Sequence, residues 1–431
     1  MLSLRGFCAP PHNRSAIARA AIGPEKPCRW LWWLTNIAGL GRASMGPLES
    51  DRNNSMYILI ALVAGSAIYS LLSIFAALRF LSTRRPAPSA MEPISILKPL
   101  AGLDPGLESN LRTCFEQDYP AFEILFAVRD ADDPSVPIVE RLRQEYPLVR
   151  TRLLITGEPP YANAKVFSLD CMMAAAANDL LVMSDSDIRT DRNLLRTVAL
   201  EFQDPKLGIA TCPYRAVSGP SFWSRIEAIG MNTDFLAGIL VARSLEGMQF
   251  AVGPTIAARR TALTSIGGFD RLKDYLAEDF VMGKFAAEAG LGVILSAGVV
   301  EHHIGSTDFA HNAAHRLRWT RSTRRSRPWG YAGQLFTMPM PLAIALVATD
   351  LSYWPLALAT LAVRFTAAYV VSARVLHVRL TWLLLPVEDL AVFCFWVAGF
   401  FGKTITWRGR RYKLHSDGRF ELIGAAVSNE A

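Results

Sequence analysis

Hydrophobic positions fall into two patterns along the chain. Residues 57–78 form a charge-free apolar run of roughly 22 residues, long enough to cross a ~30 Å hydrocarbon layer as a helix. From Pro93 to about Val300 the pattern shortens. Apolar, β-rich runs at 94–97, 122–128, 152–155, 180–183 and 208–211 alternate with amphipathic stretches such as 136–146 and 166–176. Alternating strand and helix periods predict an α/β domain with a mostly parallel, helix-covered sheet. After Trp329 the chain turns apolar again. Residues 331–349, 351–371 and 380–402 are candidate membrane segments, interrupted by Asp350, Arg364, Arg374 and Arg379.

The boundaries that follow are an extension over 1–55, a transmembrane helix over 56–80, a catalytic domain over 90–330, membrane segments over 331–402 and a basic tail over 403–431. The extension reads as disordered, or as a mis-assigned start with Met45 or Met56 the true beginning. Arg79, Arg84 and Arg85 follow the first apolar run, and that bias places the downstream domain in the cytoplasm. Pro86 and Pro88 make a stiff linker. A cytoplasmic tail needs an even number of later crossings, so residues 331–349, with Pro339 and Pro341, are expected to lie flat or re-enter.

Composition fits an integral membrane protein, in a bacterium one of the inner membrane: 51% of residues are hydrophobic and 19% charged. Six cysteines without a CxxC spacing argue against a zinc module and a disulfide scaffold. The net charge of +7 draws partly on Arg321, Arg324, Arg325 and Arg327, just before a membrane segment. With Trp319 and Trp329 they read as an interfacial anchor, and no aromatic-and-basic platform for nucleic acid accompanies them. His311 and His315 are spaced like a zinc pair but lack the protease glutamate.

Candidate chemistry sits at the carboxyl ends of strands, where such sheets bind ligands. The run 122–128 ends in Asp130, Asp132 and Asp133, which suits either a polar ligand or a solvated turn with Asp133 as helix N-cap. The run 180–183 ends in Ser184-Asp185-Ser186-Asp187. An Asp-x-Asp there aims two carboxylates to one side, as a Mg²⁺ or Mn²⁺ shared with phosphate prefers. Glu278 and Asp279 open an amphipathic stretch, where Asp279 serves as general base or merely complements the helix dipole. His315-Arg316-Leu317-Arg318-Trp319 precedes the basic run.

In this order, these stations resemble the processive-type family 2 and ceramide glucosyltransferase-like enzymes, including the bacterial hopanoid-associated glycosyltransferases. Supporting stretches are Ile96-Leu97-Lys98-Pro99-Leu100, Asn163-Ala164-Lys165 and Tyr275-Leu276-Ala277-Glu278-Asp279. The resemblance implies a GT-A domain using a UDP-sugar, a divalent cation and a membrane lipid acceptor. It implies Asp130 and Asp132 near the nucleoside, and Lys165, Glu278, His315, Arg318 and Trp319 as further substrate-binding groups. Asp185 and Asp187 would hold the diphosphate through the metal, and Asp279 would deprotonate the acceptor. His315 departs from the family's usual Gln or Arg. Asn232, Asp234 and Cys212 are candidate selectors of substrate.

Overall fold

The computed structural model describes residues 47–83 and 91–425. Met45, most of the expected extension and the Pro86–Pro88 linker lie outside the described residues. The first apolar run lies in a helix, Pro47–Leu81, of which Asn54–Leu81 is long and apolar enough to cross a membrane.

Ten strands build the central body: β1 Ile94–Pro99, β2 Phe122–Val128, β3 Arg150–Ile155, β4 Leu180–Ser184, β5 Ile188–Arg189, β6 Leu207–Thr211, β7 Tyr214–Val217, β8 Thr255–Arg259, β9 Gly292–Leu295 and β10 Val300–His303. Seven form one sheet in the order β3-β2-β1-β4-β8-β6-β9. All neighbours run parallel except β8, which is antiparallel to both β4 and β6. Strands β1, β2 and β4 are buried on both faces, which is why they read as unbroken apolar runs. A second sheet, β5-β10-β7, stands beside the β4 terminus.

Residues 331–349 are spanned by two helices, Pro328–Thr337 and Pro339–Thr349, bent by 59°. Pro339 has no N–H to continue the first helix and starts the second. Beyond it, Leu351–Val375 and Trp382–Gly399 are each long and apolar enough to cross, an even pair. Arg364, which interrupts the first of these, is buried against Asp234 (2.6 Å) and Asp389 (2.9 Å). Arg316 meets Glu388 through two bonds of 3.0 and 2.9 Å. Charges at this depth face the bundle interior and one another.

Within the basic tail, residues 404–425 form an antiparallel sheet, β11 Thr404–Trp407, β12 Arg410–Leu414 and β13 Phe420–Ala425. Ile405, Tyr412, Leu414 and Phe420 pack on Leu276, and the Phe420 amide donates to the Asp274 carbonyl at 2.9 Å. In β12 the apolar Tyr412 and Leu414 alternate with Arg411 and Lys413, which hid them. The arginines after Trp319 also hold protein groups. Arg321 donates to the Phe401 and Thr404 carbonyls (3.0 and 2.8 Å), Arg324 to Phe400 (2.6 Å) and Arg325 to Gly402 (3.0 Å). Arg327 pairs with Glu246 at 2.7 Å. The bonds of Arg321, Arg324 and Arg325 tie the helix Phe309–Ser326 to the turn after the last apolar helix and to the start of β11.

Candidate active site

Strand β4 ends where the chain must turn within a few residues to enter β5. The turn is fixed from below by Lys98 of β1, fully buried, whose Nζ donates to Ser184 Oγ (3.2 Å), to the Asp185 carbonyl and to the Ile188 carbonyl (3.4 Å). Three oxygen acceptors satisfy the three N–H groups of an ammonium that would otherwise be costly to bury. Asp185 and Asp187 thus project from a braced loop.

Separate cations receive the two carboxylates. Asp185 Oδ1 lies 2.7 Å from Lys165 Nζ, and the same ammonium is 3.0 Å from Glu278 Oε1. Lys165 reaches them because Asn163 caps the helix Ala164–Ala175, accepting from the Val166 amide at 3.1 Å, while its Nδ2 donates to the Tyr275 carbonyl at 2.9 Å. Burial and the neighbouring Asp187 push the Asp185 carboxyl up in spite of Lys165. Burial would also raise Asp187, but His302, 3.1 Å away on β10, holds it well below the usual carboxylate range.

Asp279 lies on the second residue of the helix Glu278–Glu288 and faces the same cleft, which Lys165, Asp185, Gly253, Glu278, Asp279 and Met282 line. Burial, then the neighbouring Glu278, push its carboxyl up to about 7, with Lys165 opposing. An acid balanced there takes up a proton near neutrality, as a general base must. Phe280, the next residue, stacks on Phe250 at 5.7 Å and packs on a cluster containing Ala76 and Ala77 of the first membrane helix. The cleft therefore adjoins the membrane helices.

Arg318 and Trp319 lie on the helix Phe309–Ser326. Burial pushes the Arg318 guanidinium below its ordinary value, and Glu278, Asp187 and Asp185 are the acids that oppose this. It makes no ion pair among the described residues. Trp319 packs on Phe235 (5.7 Å) and His315 (5.0 Å), and Phe235 continues to Tyr214 (5.1 Å), which meets His302 edge-on at 5.7 Å. His315 Nδ1 sits 2.5 Å from Glu227 Oε1; Ser306 (2.7 Å) and Asn312 (2.6 Å) also donate to Glu227. Burial opposes ionisation of Glu227, yet these donors hold it at about 2. Burial lowers the His315 imidazole, with its hydrogen bond to Glu227 opposing.

The structure brings Lys165, Asp185, Glu278 and Asp279 into one cleft, with Asp187 two residues along. Asp130 and Asp132 stand apart from it, exposed at the end of β2. One strand, β1, separates β2 from β4, a span of ~10 Å across two strand spacings. Asp133 is not the helix N-cap. It closes the preceding turn, accepting from Ser135 N (2.9 Å), Ser135 Oγ (2.6 Å) and Gly102 N (3.0 Å). Asn232 holds the backbone of Ala216, Asp234 pairs with Arg364, and Cys212 is core, so none of the three faces the cleft. Sequence reasoning missed Glu227, Gly253 and His302, and it quoted Lys98 without its bracing role. Lys98, an isolated charge in an apolar strand, carried a visible signal.

The acids fit a divalent cation of one kind only. The second oxygen of Asp185 and of Asp187 has no hydrogen-bond partner among the described residues. No group of three or more His, Cys, Asp or Glu able to hold a metal occurs among those residues. Two carboxylates suit an ion that completes its shell with water and phosphate, not a self-sufficient cage.

Glycosyl transferase family 21 matches residues 57–420, from the first membrane helix through the final sheet. The chain belongs to this family. Among family 21 relatives, a ceramide glucosyltransferase 1 of Caenorhabditis elegans is 28% identical over 205 residues, 47% of this chain and 44% of that protein. A ceramide glucosyltransferase of Komagataella phaffii is 32% identical over 136 residues, 31% of this chain and 26% of that one. This chain thus matches about half or less of the length of these relatives. A mannosyltransferase from Pyrobaculum calidifontis, solved with GDP-Man and Mn2+, is similar at TM-score 0.49 and 19% identity, over 80% of this chain and 99% of its own. S. aureus TarS with UDP-GlcNAc follows at TM-score 0.36 and 12% identity, over 78% of this chain and 100% of that one.

Proposed function

We propose that this family 21 chain transfers a hexose, glucose in the first instance, from a UDP-sugar to a hydroxyl of a membrane lipid, in the manner of a ceramide glucosyltransferase. The observation that carries this reading is the position of Asp279. Its carboxyl shares a cleft with Lys165, Asp185 and Glu278, and the next residue packs against the membrane-helix cluster. A base at that junction serves an acceptor whose tail stays in the bilayer while the donor arrives from water.

In this reaction Asp279 accepts the acceptor's hydroxyl proton as that oxygen bonds to the anomeric carbon. The bond from that carbon to the diphosphate breaks, and UDP leaves with the electron pair. Displacement from the opposite side inverts the anomeric centre. Arg318 and Lys165 supply fixed positive charge to the leaving group, a type of contribution worth several kcal/mol, roughly, in a cleft shielded from water. A divalent ion bound by Asp185 and Asp187 would act as Lewis acid on the same diphosphate. Asp130 and Asp132 are assigned to the nucleoside, His315 and Trp319 to the acceptor side. We also assign the catalytic body to the cytoplasmic face.

The test incubates membranes holding the full chain with each labelled UDP-sugar and extracted lipids. A labelled lipid bearing one sugar is expected, lost on Asp279→Asn and in excess EDTA. No labelled lipid with any donor would refute the proposal. Full activity in EDTA would remove the metal from Asp185 and Asp187. The same experiment includes the runner-up acceptor, a hopanoid polyol receiving N-acetylglucosamine. A long polymer product would instead indicate a polysaccharide synthase.

A further inference from the structure

The turn between β11 and β12 places Arg408 beside the Asp-x-Asp loop. Nη1 and Nη2 of Arg408 donate to the two oxygens of Asp104 at 3.0 and 3.1 Å, and Nη1 also donates to the Ala101 carbonyl at 3.1 Å. Asp104 in turn accepts from Ser186 Oγ, the middle residue of Asp185-Ser186-Asp187. The same sheet is bonded to the segment leading into Glu278 and Asp279: Phe420 N donates to Asp274 O, and Tyr275 bridges Arg419. Its leading edge is held by Arg321 and Arg325, on the helix that carries Arg318. One small sheet is therefore bonded to a neighbour of each of the three stations.

Arg408 is also an unexpected residue for its place. It has φ +48° and Gly409 φ +72°, the paired left-handed conformation of a two-residue hairpin turn. Asn or Gly suits the first position; a long side chain there is held in strain, a condition that concentrates at functional sites. A guanidinium has five N–H donors, and three account for the bonds above. Nε–H and one Nη2–H have no partner among the described residues. The side chain remains half-exposed. Its charge acts on Asp185, Asp187 and Arg318, which puts it within their electrostatic neighbourhood.

We infer that Arg408 binds the diphosphate of the nucleoside diphosphate-sugar donor, and that the C-terminal sheet is a wall of the donor site. This rests on the function proposed above. The planar fork of Arg suits phosphate oxygens, and Asp104 holds it ready rather than consuming all its donors.

The test measures UDP and UMP affinity by calorimetry on the detergent-purified full chain with Mn²⁺, for wild type, Arg408→Asn and Asp104→Asn. Asn fits the turn, so Arg408→Asn is expected to unfold at the wild-type temperature or above. Its UDP affinity should fall by roughly tenfold to a hundredfold, the worth of a charged hydrogen bond, with a smaller loss for UMP. Asp104→Asn, which keeps the cation, should stay within about threefold of wild type for UDP, well short of the tenfold that one such bond carries. Wild-type UDP affinity in Arg408→Asn would overturn the inference. So would equal losses in both variants, since Arg408 would then be only a strap. A wild-type chain that binds no nucleoside diphosphate would instead remove the functional reading on which the inference stands.

Discussion

Gly253 leaves the space that Asp279 occupies: a β-carbon at 253 would stand 2.6 Å from Asp279 Oδ2. The approach joins the loop before β8 to the start of the Glu278 helix, so glycine sets where the Asp279 carboxylate points.

Gly253→Ala should accordingly displace the Asp279 carboxylate while leaving the sheet intact. We expect kcat/KM to drop on the order of 100-fold, as for an ångström-scale misplacement of a reacting group. Unfolding temperature should change little. Steady-state kinetics beside a thermal melt checks this, and unchanged kcat/KM would dissociate Asp279 from the chemistry.

The elevated Asp279 carboxyl sets a pH dependence. Burial and Glu278 place it at about 7, so the basic form gains population as pH rises through that value. kcat/KM should climb with pH and level off above it in a pH–rate profile of the wild-type chain, and a flat profile would remove Asp279 as the base. Stability should run the other way. An unfolded carboxyl loses its proton near ~3.9, the folded one near 7, so this group's contribution declines as pH rises between the two.

Lys98→Met keeps the side-chain length and removes the ammonium. Ser184 Oγ and the Asp185 and Ile188 carbonyls then lose a buried donor, a cost of at least about 2 kcal/mol. Lower thermal stability and a raised KM for the donor are expected, because the Asp-x-Asp loop hangs on these bonds. Wild-type values for both would show the ammonium to be dispensable.

Arg364→Leu leaves Asp234 and Asp389 facing each other without a cation. A loss of ~3–5 kcal/mol is expected, as when one partner of a buried pair is removed. Adding Asp234→Asn and Asp389→Asn should recover most of it. Melts in detergent compare the single and triple variants, and failure of the triple to recover would assign the loss to packing alone.

Most strands that read clearly in the sequence are buried on both faces, the exposed β3 being the exception. The run 122–128 coincides with β2, and 94–97 and 180–183 fall within β1 and β4. Antiparallel β8 escaped because Thr255-Ile256-Ala257-Ala258-Arg259 is short, small-sided and without alternation. At the site, Lys165, Asp185, Glu278 and Asp279 carried a readable order along the chain. Glu227 and His302 did not, since each meets a partner, His315 or Asp187, 88 or 115 residues distant that only folding brings near. The final sheet was obscured in part by charge: basic residues on one side of β12 concealed Tyr412 and Leu414 on the other.

The guanidiniums of Arg321, Arg324 and Arg325 clasp the carbonyls where the last hydrophobic helix ends. Those bonds join the helix that carries Arg318 to the end of a span long and apolar enough to cross a membrane. On the function proposed above, the height of the cleft over the bilayer then follows how far that span protrudes.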